Sequence, residues 1–202
     1  MIKVGITGGI GSGKTTVCKV FETLGIPVYN ADTQAKMLMN TDPELKATLQ
    51  DYFGSGIYHD DILVRHQLAE IIFNDQAALE MVNSWVHPAV VRDFEHWCTL
   101  QTSPYILEEA AIIFESKIAY RFEKVILVTA PDDIRVERVC ARDHVTPEIV
   151  RKRMINQWPE EKKIALADYI IYNDNVHLIA PQVIVVHKRL LGIKDPAGFS
   201  DI

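Results

Sequence analysis

The stretch GITGGIGSGKTT, Gly5 to Thr16, decides how the rest of the chain is read. Gly8, Gly13, Lys14 and Thr15 satisfy the spacing G-x-x-x-x-G-K-[ST], the signature of a phosphate-cradling loop. Glycines at 8, 9, 11 and 13 let the backbone curl until its N–H groups converge on phosphate oxygens. The preceding IKVGIT (Ile2 to Thr7) reads as a buried strand. From Lys14 the pattern is helical until about Gly25, which brings a positive dipole end to the loop. Gly11, Ser12, Gly13, Lys14, Thr15 and Thr16 are therefore the expected nucleotide contacts. Lys14 is expected to reach the β- and γ-phosphates of the nucleotide, and the Thr15 hydroxyl to coordinate Mg2+. A glycine-rich turn with a chance lysine is the alternative, and the flanking strand and helix weigh against it.

Strand patterns alternate with helical ones along the remainder. IPVYN is a second short strand ending at Asn30-Ala31-Asp32. A long helical region follows. Asp42-Pro43 is a cap with a first-turn proline, and Leu45, Leu49, Tyr52 and Phe53 share a face. Gly54 to Asp61 reads as turn and Arg65 to Phe73 as helix. Asp75 caps a helix bearing Leu79, Val82, Trp85 and Val86, and Pro88 is expected to start another. Strand character returns at Tyr105 to Leu107, Lys124 to Ala130 and Asp168 to Asn173. Helices are expected from Thr146-Pro147 to about Gln157 and from about Val176 to Leu191. The fold class is thus α/β, a parallel sheet of about five strands covered on both faces, with a helical insertion at its carboxyl edge, where ligands bind in such folds.

Composition limits the partners. A chain of 202 residues holds one α/β domain with a small appended subdomain, and 48% apolar residues is ordinary for a soluble globule. No apolar run approaches membrane-span length, and the chain enters its first strand with no basic-then-apolar leader. A cytoplasmic protein with no membrane partner is expected. A net charge of −6 argues against a nucleic-acid partner, which needs a broad basic face. Cys18, Cys98 and Cys140 have neither zinc-ligand nor disulfide-framework spacing, so reduced, buried thiols are expected.

The loop leaves open where the outermost phosphate goes. The N-K-x-D and D-x-x-G patterns of switch GTPases are missing where they would stand, the fourth strand ending VTAPDD. A small-molecule kinase needs an acceptor pocket, a base beside the acceptor hydroxyl, and arginines that exclude water. Asp32, at the end of the second strand, is either that base or the cap of the next helix. Arg135, Arg138, Arg142, Arg151, Lys152 and Arg153 crowd one stretch. Arg138 and Arg142 are read as a lid that neutralises transferring phosphate, and Lys152 as part of a solvated face. Of Glu108 and Glu109, one should point into the site and steer magnesium through water, since strand neighbours face opposite ways, and Glu109 is taken as that residue. His87 is read first as a structural histidine and second as an anion contact.

These residues resemble the dephospho-coenzyme A kinases over nearly the whole chain. The Thr-Gly-Gly-Ile-Gly-Ser run in the loop is similar to that family's, as are VYNADTQA, RHQLAEIIFND with VNSWVHPAV, IIFES, RVERVCARD and ADYIIYND. The resemblance implies a three-layer P-loop kinase fold with a core (about 1–33 and 101–202), an acceptor-binding insert (about 34–100) and a lid (about 139–158). It implies transfer of the ATP γ-phosphate to the ribose 3′-hydroxyl of dephospho-CoA by a monomer or weak homo-oligomer. By the same resemblance Asp32 is the base, Arg65 and His87 are acceptor-side residues, Arg138 and Arg142 lid residues, and Asn173 a nucleotide-side contact. Three positions depart from the family pattern: Asn30 for its usual aspartate, Ala111 for proline, and Arg135 for glutamine. A nucleoside or nucleotide kinase of the same fold, and a regulatory module that binds ATP without transferring phosphate, are the rival readings.

Overall fold

Ile2–Thr7 forms β1, fully buried from Val4 onward, and Lys14–Thr23 forms α1, with Val17, Cys18 and Phe21 on its inner face. The short β2 (Val28–Asn30) follows. The computed structural model describes residues 1–193. Two compact units divide the chain: Met1–Asn30 with everything from Gln101 onward, and Ala31–Leu100.

The second unit holds α2 (Ala31–Thr41), α3 (Pro43–Phe53), a hairpin of β3 (Tyr58–His59) and β4 (Ile62–Leu63), then α4 (Arg65–Asn74) and α5 (Gln76–Thr99). Asp42 caps α3 as expected, its Oδ1 accepting from the N–H groups of Glu44 and Leu45, both at 3.0 Å, with Pro43 in the first turn. Such a cap contributes about 1 kcal/mol. Asp75 does the same for α5 through Ala77 and Ala78.

Two expectations are corrected in this unit. Pro88 does not open a new helix but lies inside α5, a single helix of 24 residues. A mid-helix proline removes one hydrogen bond and clashes with the carbonyl four residues back, a cost of about 3 kcal/mol. Buried Ala78, Val82, Val86, Ala89, Val90, Phe94 and Cys98 continue one apolar face through the proline, and their burial outweighs that cost. The segment read as turn holds the first strand and the turn of the β3–β4 hairpin, antiparallel with Tyr58 opposite Leu63. Its two-residue turn is Asp60-Asp61, with φ of 47° and 70°, the positive-φ pair that a tight hairpin demands. Lys46 steadies it by pairing with the Asp61 carboxylate and donating to its carbonyl.

The first unit resumes with β5 (Tyr105–Glu109), β6 (Lys124–Thr129), α6 (Asp132–Asp143), α7 (Pro147–Ile155), α8 (Glu160–Ile164), β7 (Tyr169–Tyr172) and α9 (Ile179–Leu190). The last helix starts three residues later than expected. The Asp174 carboxylate accepts from the N–H groups of Val176 and His177 and holds that stretch in a turn. Five strands pair in the order β2-β5-β1-β6-β7, all parallel. The main core lies between sheet, α1 and α9: Val4, Ile6, Tyr105, Leu107, Ile126, Val128 and Ile171 meet Val17, Phe21, Val183 and Val186. Each fully buried side chain of this size contributes about 1.5–3 kcal/mol. Tyr105 is completely buried there, so its hydroxyl needs a partner, and His187 Nδ1 supplies one at 2.6 Å. Burial pushes the phenol up and the imidazole down, which keeps both neutral in this pair.

Among the described residues no helix is long and apolar enough to cross a membrane. Cys18 and Cys98 are buried, as expected; Cys140 is only half-buried.

Candidate active site

Gly13 caps α1 with a left-handed backbone, φ 90°. A Cβ there would run into the side-chain amide of Asn173, so both the dihedral and the space require glycine. The loop closes on itself: Ser12 N–H donates to the Gly9 carbonyl at 3.1 Å, and Thr16 and Val17 N–H donate to Gly13. The first N–H groups of a helix have no intrahelical acceptor and carry its positive dipole end, which suits an anion. Lys14 Nζ arches back to donate to the Gly8 carbonyl at 2.8 Å, so the ammonium stands over the loop that the motif assigns to phosphate.

Of the two glutamates ending β5, Glu109 faces this loop and Glu108 faces away, towards Arg121 Nη2 at 3.5 Å. Pleat alternation requires this division. Glu109 Oε1 accepts from the Thr15 hydroxyl at 2.9 Å, and its Oε2 accepts from Asn30 Nδ2 at 2.7 Å. Cys18, on the next turn of α1, is a neutral thiol: burial first, then the Glu109 charge, pushes its pKa up. Among the described residues there is no cluster of three or more His, Cys, Asp or Glu that could hold a metal. The set here fits a different kind of site, in which a hard cation takes a hydroxyl, a carboxylate through water, and the phosphates of a bound nucleotide.

Asn30 gives Glu109 a donor that an aspartate could not. Asn30→Asp is expected to lower the melting temperature by about 5 °C without divalent cation, the equivalent of one hydrogen bond to a charged group. Saturating Mg2+ should restore it by screening the paired carboxylates. Thermal melts with and without MgCl2 check this, and a loss that Mg2+ leaves untouched would mean that Glu109 does not face a bound cation.

Asn173, just past β7, joins three parts. Its Nδ2 donates to the Ser12 carbonyl at 2.8 Å, and its Oδ1 accepts from Arg138 Nη2 at 3.3 Å. The same Nη2 donates to Asn175 at 2.7 Å. Arg138 Nη1 is buried and meets no acceptor among the described residues. It stands 3.8 Å from where a Gly13 Cβ would be. A buried guanidinium N–H without an acceptor costs about 1–3 kcal/mol, and a phosphate oxygen is its natural partner.

Arg142, one turn further along α6, does not join this group. Its Nε and Nη2 grip Asp143 at 2.7 and 3.1 Å, and Arg153 holds the same carboxylate at 3.0 Å. The hydrogen bond from Arg142 holds the Asp143 carboxyl below its usual range. Solvent screens this exposed pair, which therefore contributes little to stability. Loop residues Gly11 to Thr16 thus meet Glu109, Arg138 and Asn173 within one unit.

Asp32, Arg65 and His87 belong to the other unit. Asp32 lies exposed in the first turn of α2, inside the helix rather than capping it. Arg65 opens α4, exposed, with Nη2 3.5 Å from the Lys36 carbonyl. His87 sits on α5 just before Pro88, its imidazole held below the ordinary value by partial burial. Three partners found here had no local signal in the sequence: Asn30 on Glu109, and Arg135 and Gln157 on the Ile10 peptide.

The family model described as dephospho-CoA kinase matches residues 2–178. The chain belongs to the dephospho-CoA kinase family. Among its relatives, the dephospho-CoA kinase of Porphyromonas gingivalis is 43% identical over 91% of this chain and 92% of that protein. That of Bacteroides fragilis is 35% identical over 91% and 90%. A solved Thermus thermophilus protein superposes with a TM-score of 0.81 at 30% identity, covering 96% of this chain and 98% of that one. The dephospho-CoA kinase of Campylobacter jejuni gives 0.70 at 24% identity over 94% and 98%, a likeness of fold. For this dephospho-CoA kinase family member, the sheet of five parallel strands flanked by helices is the P-loop kinase fold that the sequence implied. Of the three positions that the resemblance set apart, Asn30 has a partner in Glu109 and Arg135 one in the phosphate loop, and nothing in the structure explains Ala111.

Proposed function

We propose that this protein is an ATP-dependent dephospho-CoA kinase, transferring the γ-phosphoryl group of ATP to the ribose 3′-hydroxyl of dephospho-CoA to give CoA and ADP. The observation that carries the reading is the loop of Gly8 to Thr15, with Lys14 arched over it and Thr15 on Glu109, in a chain whose residues 2–178 match the family. The loop amides and Lys14 hold the β- and γ-phosphates, and Arg138 Nη1 supplies a further donor. Thr15, with Glu109 through water, would hold Mg2+, which neutralises charge on the phosphates when bound. Asp32 takes the proton of the attacking 3′-hydroxyl, and Arg65 and His87 bind the acceptor within the helical insert. The lowered pKa of His87 makes it a neutral donor or acceptor rather than a cation at neutral pH. Arg138 and Arg142 belong to the lid side and Asn173 to the nucleotide side. The protein acts in the cytoplasm, as a monomer or weak homo-oligomer.

An acceptor panel with purified protein tests this. ADP release coupled to NADH oxidation is expected with dephospho-CoA, at least tenfold above nucleosides, nucleotides or no acceptor. Preference for a nucleoside would replace the acceptor assignment. Tight ATP binding with no turnover on any acceptor would replace the enzyme with a binding module.

A further inference from the structure

Ile10, in the middle of the phosphate loop, is held on three sides by the segment that follows β6. Its N–H donates to Gln157 Oε1 at 2.8 Å. Its carbonyl accepts from Arg135 Nε at 3.0 Å. Its side chain packs against the cluster of Val136, Val139 and Val150, together with Cys140, Val145 and Met154, where α6 meets α7. Arg135 is 4% exposed and lies so close under Gly9 that a Cβ there would run into its guanidinium.

The guanidinium is itself fixed. Arg135 Nη1 bonds Asp132 at 3.0 Å and stands 3.5 Å from Glu160. Glu160 lies 3.4 Å from Lys163 Nζ, and Lys163, fully buried, is 3.8 Å from Glu115. Glu115 in turn accepts from the Trp158 N–H at 3.1 Å. Buried ion pairs of this kind do little for net stability, because desolvation offsets attraction, but breaking one is costly. What the row of charges does fix is the position of residues 157 to 163 relative to the loop.

We propose that Arg135 and Gln157 are positioning residues that clasp the Ile10 peptide from both ends and couple the α6–α7 segment to the phosphate loop. A peptide held at N–H and C=O cannot rotate, so the amides that follow it keep their aim at the phosphates. A shift of α7 would be felt at Ile10 through the same two bonds and the shared apolar cluster. The inference rests on the loop being the nucleotide site proposed above.

The test measures the affinity of Mg2+–ADP by calorimetry, with no acceptor present, alongside the melting temperature, for Gln157→Ala, Arg135→Ala, the double variant and Gln157→Glu. Each alanine variant should weaken Mg2+–ADP about five- to tenfold, the equivalent of one hydrogen bond. Because both act on one peptide, the double variant should be no weaker than the worse single one, where independent effects would multiply. Gln157→Glu keeps an acceptor for the Ile10 N–H and should restore affinity. Wild-type affinity in the half-buried Gln157→Ala variant, or multiplying effects in the pair, would overturn the proposal. If Arg135→Ala does not fold, the contrast between alanine and glutamate at 157 decides. Wild-type protein that binds Mg2+–ADP but does not phosphorylate dephospho-CoA would overturn the acceptor assignment and leave the clasp standing.

Discussion

Lys14→Ala is expected to lower kcat by about 10³-fold, the scale on which removing a preorganised donor to a transferring group acts. The side chain is half-buried, and its Nζ donates to the loop carbonyls of Gly8 and Gly9 at 2.8 and 3.5 Å; the apolar core between sheet, α1 and α9 does not include it. The melting temperature should move by about 5 °C, the worth of one hydrogen bond from a charged group in a chain of this size. Ground-state ATP affinity should fall less than kcat, because the ammonium gains most where charge builds on the leaving and transferring oxygens. Steady-state kinetics with calorimetry on the same preparation separates the two. Activity within tenfold of wild type would mean that another cation carries the charge, and Arg138, with its unpartnered Nη1, would be the next residue to replace.

Asp32→Asn is the second large effect expected, a fall in kcat of about 10²-fold, the lower end for a general base. The lower end applies because a loose phosphoryl-transfer transition state leaves the hydroxyl proton in place until late and asks little of a base. Asp32 is exposed in the first turn of α2, and asparagine keeps its shape while removing only a modest helix-dipole contribution of about 0.3–1 kcal/mol. Mg2+–ADP affinity should therefore be unchanged. A variant that lost nucleotide affinity in step with kcat would recast Asp32 as a magnesium or structural residue.

The parts of this site that could be read in the sequence are those whose chemistry is local. Gly8 to Thr15 announced itself because the loop geometry is written into consecutive residues, and Asp42 and Asp75 because a cap needs only its own helix start. Strand alternation said that one of Glu108 and Glu109 faces the loop, and the expected one, Glu109, is the one that turns to Thr15. Pro88 misled because proline is most at home in a first turn, and only the apolar face running through it shows one continuous helix. The hairpin at Asp60-Asp61 lacked the usual glycine. Arg135 stood out in the sequence only as one of a crowd of basic residues, and Gln157 only as the end of a helix. Their contacts are with Ile10 of the phosphate loop, more than a hundred positions earlier in the chain, and no window of sequence contains that fact.

The order of the sheet bears on how the chain reaches this structure. The central strand β1 is made first, yet Ile2 pairs with Tyr105 and Val4 with Lys124, so neither neighbour exists until much later in the chain. Closing such long loops costs little extra at equilibrium, about 0.6 kcal/mol for each doubling of length. Its effect is on rate: non-local parallel pairing must be completed before it is rewarded, which places such sheets among the slower folders. The apolar edges of β1 stay open while the chain emerges, and the residues between β2 and β5 form a compact unit of their own in that interval. A nascent chain stopped before Tyr105 would thus carry a formed helical unit beside an unpaired strand, and its solubility at that moment depends on what shields Val4 and Ile6.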